Sequence, residues 1–170
     1  TIAGDIGQFG FNLDFAPVAD VITNSENTEI GNRAFGTDAA TVCEMVPQAV
    51  AGLQQNGIIA ALKHFPGHGN TSDDSHYNTT TTDRTLEQMR ELELKPFEAG
   101  IAAGVGIVMC SHLTATQVDD SLPASMNRTI ITGILRDELG FEGVVTTDSL
   151  RMLAIAANYT PKEVALNCVN

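Results

Sequence analysis

Basic residues and cysteines are scarce in this sequence of 170 residues. Nine Lys and Arg residues stand against 21 Asp and Glu residues, which gives a formal net charge of −12. A surface of that sign repels nucleic acid phosphates and anionic lipids, so we expect neither as a partner. The three cysteines lie far apart without a CxxC spacing, which indicates neither a disulfide framework nor a zinc cluster. No stretch reaches the roughly 18 apolar residues that a membrane span requires.

Four short apolar segments, each followed by polar residues, predict buried parallel strands. They are FNLDFAPVAD (11–20), GIIAALKHFPGHG (57–69), VGIVMCSHLT (105–114) and GVVTTDSL (143–150). Each segment is continuous and bounded by Gly or Pro, which is typical of strands that are covered on both faces.

Helix signals lie between these strands and at both ends of the chain. Asp38 predicts the start of a helix that runs to about Asn56 and stops at Gly57. Thr85 and Gln88 form a capping box before a second helix, which we expect to run through Leu92, Leu94, Phe97 and Ile101. Asn127 predicts a third, whose apolar stripe precedes Gly140 and comprises Ile130, Ile131, Ile134, Leu135 and Leu139. We also expect a helix that ends at Gly10, and another that begins with Thr160, Pro161 and Glu163.

Strands that alternate with helices at this spacing predict right-handed βαβ units. The two alternatives are a doubly wound open sheet and a (β/α)8 barrel. All four predicted strands carry polar candidates at their carboxyl ends, as at a barrel mouth, whereas an open sheet concentrates them at one switch point. The sequence therefore predicts an α/β fold of the (β/α)8 TIM-barrel type. Because such a barrel takes about 200 residues or more, we expect an incomplete barrel of about four βα units, with the missing strands supplied by the rest of a longer chain.

Asp148 comes directly after the last predicted strand, where a barrel strand reaches the mouth. A carboxylate in that position is well placed to attack an electrophilic carbon. The alternative is an N-cap for a helix beginning near Ser149, because Asp is a favoured capping residue. Position alone leaves both interpretations open.

The segment KHFPGHGNTSDDSHY (63–77) contains three of the four histidines. Asp74 and His76 are two residues apart in a predicted loop, so the carboxylate can orient the imidazole for proton transfer near neutral pH. A solvated loop with a local Asp–His contact is the alternative. His64 and His68 have a metal-ligand spacing only on a helix, and Pro66 makes a helix there unfavourable. We therefore expect no metal site.

Three further positions are weaker candidates. Arg33 lies in a loop after the first strand and could bind hydroxyls or a carboxylate, although a surface arginine is the commoner case. His112 follows the third strand, where it could equally be a buried histidine with its hydrogen bonds satisfied within the protein. Asp14 and Asp20 flank the APV segment of the first strand, and we expect at least one to be structural.

Taken together, these motifs resemble glycoside hydrolase family 3, and within it the β-N-acetylglucosaminidases of the NagZ type. The resemblance covers essentially the whole chain and is carried, in order, by NLDFAPVAD, IGNRAFG, KHFPGHG, DDSH, IVMCSHL and ELGFEGVVTTDSL. It implies that residues 1–170 are part of the family's N-terminal (β/α)8 barrel domain.

The resemblance also implies roles for matching positions. Asp148 falls where the family has its nucleophile, His76 matches the general acid/base of the NagZ-type branch, and Asp74 matches the carboxylate paired with it. Arg33, Lys63 and His64 fall where family members hold the sugar in the first subsite, and we count His112 as a further substrate-binding candidate.

The implied activity is hydrolysis of terminal β-linked N-acetylglucosamine, with retention of configuration, from cell-wall muropeptides or chitin-like oligosaccharides. The alternatives are a β-glucosidase or other β-glycosidase of the same family, and a non-catalytic carbohydrate-binding barrel. This chemistry requires no cofactor, and the partner is a carbohydrate. The sequence leaves the compartment open between the bacterial cytoplasm and the cell surface or exterior.

Overall fold

The computed structural model describes residues 1–71 and 80–169. Its centre is a parallel sheet of four strands, β1 (Leu13–Asp14), β2 (Ile59–Phe65), β4 (Ile107–Cys110) and β6 (Val144–Thr147), in the order β1-β2-β4-β6. Two further short strands, β3 (Thr81–Thr82) and β5 (Thr114–Ala115), form a separate parallel pair.

The order of the four strands in the sheet is their order along the chain. A doubly wound sheet reverses its strand order at a switch point, whereas a barrel adds each new strand on the same side. The prediction of an incomplete barrel of about four βα units is therefore confirmed. The central strands β2 and β4 are almost entirely buried, while β6, at one edge, is half-buried or exposed.

Helices lie between the strands and at both ends of the chain. The α-helices are α1 (Ile2–Gly7), α2 (Ala39–Gln54), α3 (Leu86–Glu91), α4 (Lys95–Ala102), α5 (Leu153–Ala156) and α6 (Pro161–Val169). Two 3₁₀ helices span Gly31–Arg33 and Ala124–Met126, and a π-helix spans Thr129–Glu138. No helix in the described ranges is long and apolar enough to cross a membrane.

Helix α2 illustrates how the local sequence signals and the core agree. Asp38 accepts a hydrogen bond from the backbone N–H of Thr41 at 2.8 Å, as an N-cap residue should. Gly57 follows the helix with φ of 78°, a conformation that favours glycine. The apolar positions at helical spacing, Val42, Val46, Val50 and Leu53, are buried in the main core. The cap, the stop and the buried face thus all match the prediction.

The second predicted helix is wrong in its extent, because the structure divides it in two. The capping box of Thr85 and Gln88 is present and begins α3, but that helix ends at Glu91. Helix α4 begins at Lys95, with Pro96 in its first turn. Proline lacks the N–H that a continuous helix would need at this position and is favoured in the first turn of a helix, so Pro96 suits the start of a new helix.

The third predicted helix forms with a wider turn than expected. Asn127 Oδ1 accepts a hydrogen bond from the N–H of Ile130 at 3.2 Å, and the helix then continues as a π-helix. The N–H of Leu139 bonds to the carbonyl of Ile134, five residues earlier, at 2.9 Å. Ile130, Ile134 and Leu135 are buried, so the predicted apolar stripe faces the core.

Candidate active site

The carboxyl ends of the four parallel strands lie along one edge of the sheet. Asp20 follows the β1 segment, His64 lies near the end of β2, His112 follows β4, and Asp148 follows β6. Arg33 ends the 3₁₀ helix in the loop after β1. The structure therefore brings the predicted site residues within the described ranges to the same end of the partial barrel, which is where barrel enzymes carry their active sites.

Asp148 is fixed by its backbone and has a partly accessible side chain. Its N–H donates to the carbonyl of Cys110 in the neighbouring strand β4 at 2.9 Å. Its Oδ1 accepts from the N–H of Ser149 at 2.7 Å. Helix α5 begins only at Leu153, with Met152 at its N-cap, so Asp148 does not cap a helix. A half-buried carboxylate with one oxygen anchored can direct the other oxygen at a bound carbon.

The pKa of the Lys63 amine is shifted by its burial and by the charges of several other candidate residues. Burial lowers the pKa of its amine, and the nearby positive charge of Arg33 lowers it further. The carboxylates of Asp148, Asp14 and Asp20 act in the opposite direction. The charges of both Arg33 and Asp148 therefore act on the Lys63 amine.

The guanidinium of Arg33 is held in place by its own loop. Its Nη2 donates to the backbone carbonyl of Glu29 at 2.7 Å and to Glu29 Oε1 at 3.3 Å. The Arg33 side chain is 43% exposed, so part of the guanidinium faces solvent. Planar N–H groups of this kind suit hydroxyl and carbonyl acceptors.

A cavity of about 540 Å³ borders this group of side chains. Asp14, Arg33 and Lys63 line its polar side, and apolar residues that include Phe15 and Phe35 line much of the remainder. Asp148 is not among the lining residues. The cavity is therefore lined by part of this group of side chains and does not include Asp148.

His64 is buried at the end of β2 against the carboxylate of Asp20. Its Nδ1 lies 2.7 Å from Asp20 Oδ2, and its backbone N–H also donates to that oxygen at 3.2 Å. Burial would raise the pKa of the Asp20 carboxyl, but the charge and hydrogen bond of His64, together with His68, hold that pKa below its usual range. An ionised carboxylate only accepts hydrogen bonds, so Nδ1 of His64 carries the proton.

His112 is a buried histidine whose two ring nitrogens both have partners inside the protein. Its Nδ1 lies 2.8 Å from Ser125 Oγ, and its Nε2 lies 2.9 Å from the carbonyl oxygen of Ser149. Burial lowers the pKa of the imidazole. Because Ser149 directly follows Asp148, His112 is bonded to the backbone next to the nucleophile candidate, and both of its ring nitrogens have partners within the protein.

His68 is the other buried histidine of the KHFPGHG segment. Its Nδ1 lies 2.8 Å from Thr71 Oγ1, and burial lowers its pKa. Its ring centroid is 6.1 Å from that of His64, and the two rings meet edge to face. Within residues 1–71 and 80–169, no group of three or more His, Cys, Asp or Glu side chains is arranged to hold a metal ion.

Asp74 and His76 lie outside the described residues. Their proposed roles as the acid/base pair therefore stay predictions. Conversely, sequence reasoning gave Asp20 no specific role, although the structure makes it the acceptor that organises His64 and His68. The signal that could have identified it is its place directly after a strand, at the same barrel end as the KHFPGHG segment.

Comparisons with known proteins agree with this architecture. The chain is 42% identical over 153 residues to a protein named beta-hexosaminidase from Stenotrophomonas maltophilia strain R551-3, an alignment that covers 90% of this chain and 45% of the relative. It is 33% identical to beta-hexosaminidase A of Pseudoalteromonas piscicida, over 99% of this chain and 30% of that protein. The chain thus spans less than half the length of these curated relatives.

Solved structures show the same similarity. A glycoside hydrolase family 3 β-N-acetylglucosaminidase from Paenibacillus sp. str. FPU-7 superposes with a TM-score of 0.96 at 41% identity, covering 99% of this chain and 32% of that one. The β-N-acetylglucosaminidase from Thermotoga maritima superposes with a TM-score of 0.87 at 32% identity, over 99% and 36% of the two chains.

The sequence profile of the glycosyl hydrolase family 3 N terminal domain matches residues 1–170. A match over the full chain, with solved family members superposing on nearly all of it, leaves no part of the sequence unaccounted for. This chain belongs to glycosyl hydrolase family 3.

Proposed function

We propose that this chain carries part of the active site of a retaining β-N-acetylglucosaminidase. The observation that carries the proposal is the placement of Asp148. Its half-buried carboxylate stands at the carboxyl end of β6, tied by its backbone to β4, and it interacts electrostatically with Lys63. The names of the relatives, beta-hexosaminidase and β-N-acetylglucosaminidase, support the same activity.

In the proposed mechanism, Asp148 attacks the anomeric carbon and forms a covalent glycosyl-enzyme intermediate. His76, oriented by Asp74, protonates the departing glycosidic oxygen and then removes a proton from the attacking water, so that two inversions give net retention. The leaving alcohol departs with the proton from His76, and water then displaces the Asp148 carboxylate from the anomeric carbon. Side chains and water supply every proton and electron pair in this scheme.

We assign the first sugar subsite to Arg33, Lys63 and His64. The electrostatic coupling of Lys63 to both Arg33 and Asp148 supports a single site in which cationic groups hold sugar hydroxyls beside the nucleophile. We propose that His112 acts through Ser149, whose carbonyl oxygen it contacts, and that it helps to position Asp148 without touching the sugar.

The proposed substrates are carbohydrates with a terminal β-linked N-acetylglucosamine, in cell-wall muropeptides or chitin-like oligosaccharides. We further propose that residues 1–170 are one part of a longer N-terminal barrel domain. Four strands are present in the described sheet, whereas a complete barrel has eight, and the chain matches 45% of the length of a curated relative.

A panel of nitrophenyl β-glycosides tests this function in the full-length natural protein. We expect preferential turnover of the N-acetylglucosaminide, and we expect Asp148→Ala to remove nearly all of it while the unfolding midpoint changes little. Turnover of the glucoside with none of the N-acetylglucosaminide would indicate a β-glucosidase. Binding of the sugar without turnover would indicate a non-catalytic carbohydrate-binding barrel.

A further inference from the structure

Asp20 is a fully buried carboxylate that joins two loops at the mouth of the partial barrel. Its side chain has no exposed surface, and it follows β1, whereas its partners follow or end β2. Oδ1 accepts from the backbone N–H of His68 at 2.7 Å. Oδ2 accepts from the ring Nδ1–H of His64 at 2.7 Å and from the backbone N–H of His64 at 3.2 Å.

This arrangement has a chemical consequence for the other ring nitrogen of His64. When a neutral imidazole donates from Nδ1, its Nε2 carries a lone pair and can only accept a hydrogen bond. No described residue bonds to Nε2, although the side chain is only 7% exposed. The lone pair on Nε2 is therefore available for a ligand hydroxyl at the barrel mouth.

We propose that Asp20 is a positioning residue for sugar binding, which holds the neutral His64 in the tautomer whose Nε2 accepts a hydrogen bond from a substrate hydroxyl. The inference rests on the proposed function, because it takes His64 to be in the first sugar subsite. Asp20 lies outside that subsite but determines whether Nε2 of His64, inside the subsite, accepts or donates a hydrogen bond.

Replacement by asparagine tests the proposal because the amide has one acceptor where the carboxylate has two. In Asp20→Asn, the amide oxygen best replaces Oδ1, where the His68 N–H makes its 2.7 Å bond. The amide NH₂ then faces Nδ1 of His64 and donates to it. This leaves the proton of the neutral ring on Nε2, so the nitrogen that should accept from the sugar becomes a donor.

The first measurement is ¹⁵N NMR of the histidine side chains in the full-length natural protein, at a pH where neutral imidazole predominates. The His64 signals are assigned by their loss in His64→Gln. We expect a protonated Nδ1 and an unprotonated Nε2 in the wild type, with the two exchanged in Asp20→Asn. A protonated Nε2 in the wild type would overturn the proposal, and this result requires neither activity nor the Asp20 variant.

The second measurement is a double-mutant cycle on kcat/KM for the N-acetylglucosaminide. A charge-assisted hydrogen bond of this kind predicts a loss of roughly 10- to 100-fold in Asp20→Asn, mainly through KM. In a His64→Gln background the same substitution should cause less than about a twofold further loss. Equal losses in both backgrounds would show that Asp20 stabilises the fold without acting through His64.

Asp119→Asn is the matched control. Asp119 also accepts several hydrogen bonds, from Ser121 and from Thr129 Oγ1 at 2.7 Å, which hold its pKa at about 2, but it bonds to none of the site residues that the structure describes. Its substitution should leave kcat/KM and the His64 signals unchanged. If the wild type shows the expected tautomer but does not hydrolyse the N-acetylglucosaminide, the proposed function fails while the tautomer assignment stands.

Discussion

Gly69 occupies a position at the barrel mouth where a side chain has no room. A Cβ atom at residue 69 would overlap the carbonyl oxygen of Val21, and it would lie 2.5 Å from the carbonyl carbon of Val21 and 3.2 Å from the nitrogen of Ile22. All three are backbone atoms, so no rotamer change can relieve the contact. The Gly69 carbonyl also accepts from the N–H groups of Thr23 and Asn24 at 3.1 and 3.3 Å, and these bonds must stretch when the loops separate.

Gly69→Ala should therefore destabilise the protein by about 2–3 kcal/mol. Overpacking costs about 1–3 kcal/mol, and weakening two hydrogen bonds adds up to about 1 kcal/mol each. The reduced entropy of the unfolded chain offsets about 0.4–1 kcal/mol. Urea unfolding of the full-length protein measures the difference as a shift in midpoint at constant slope.

Gly52→Ala provides the matched control for this experiment. Gly52 lies inside helix α2, and a Cβ atom there would meet nothing within 4 Å. Alanine is favoured over glycine in a helix interior, so this variant should gain about 0.5–1 kcal/mol. A Gly69→Ala variant within about 0.5 kcal/mol of the wild type would refute the close contact between the loops after β1 and β2.

Three further predictions concern ionisable groups. Burial raises the pKa of the Cys110 thiol to about 12. Iodoacetamide should therefore leave this thiol unmodified in the native protein and label it after unfolding, as measured by peptide mass spectrometry. Labelling of Cys110 in the native protein would contradict its burial. The folded protein holds the pKa of the Asp20 carboxyl below its usual value of 3.8. The ionised carboxylate therefore stabilises the fold fully above pH 3.8, and this contribution to the free energy of unfolding is lost as the pH falls through the lower pKa of the folded state. Asp20→Asn should accordingly flatten the acid limb of stability measured by urea unfolding, and an unchanged limb would count against a stabilising role for the hydrogen bonds that His64 and His68 donate to this carboxylate. His76→Ala should reduce kcat most for substrates with poor leaving groups, and equal losses for good and poor leaving groups would exclude an acid role.

The elements that the sequence predicts best are those specified by local chemistry. Asp38 and Thr85 cap helices through residues three positions away, so the signal and its structural result lie in the same short segment. The apolar runs that form β2 and β4 are equally local, because burial on both faces demands continuous apolar residues. Pro96 shows the limit, since the pattern of apolar residues alone did not indicate that α3 and α4 are separate.

The candidate site was predictable only in part, because its geometry depends on contacts between distant parts of the chain. Asp20 and His64 are 44 residues apart, and their hydrogen bond exists only when β1 and β2 pair. The same holds for His112 and Ser149, which are 37 residues apart. Motifs placed His64 and Asp148 at the mouth, but only the fold shows which residues hold them there.

The nucleophilic role of Asp148 is the central claim, and trapping the glycosyl-enzyme intermediate tests it most directly. A 5-fluoro N-acetylglucosaminyl fluoride combines a good leaving group with a fluorine that slows hydrolysis of the intermediate, because fluorine disfavours the oxocarbenium-like transition state. After digestion of the full-length protein, we expect the added mass of one sugar on the peptide that contains Asp148, and none in Asp148→Asn. A sugar attached to a different residue, or the same labelling in Asp148→Asn, would contradict the assignment.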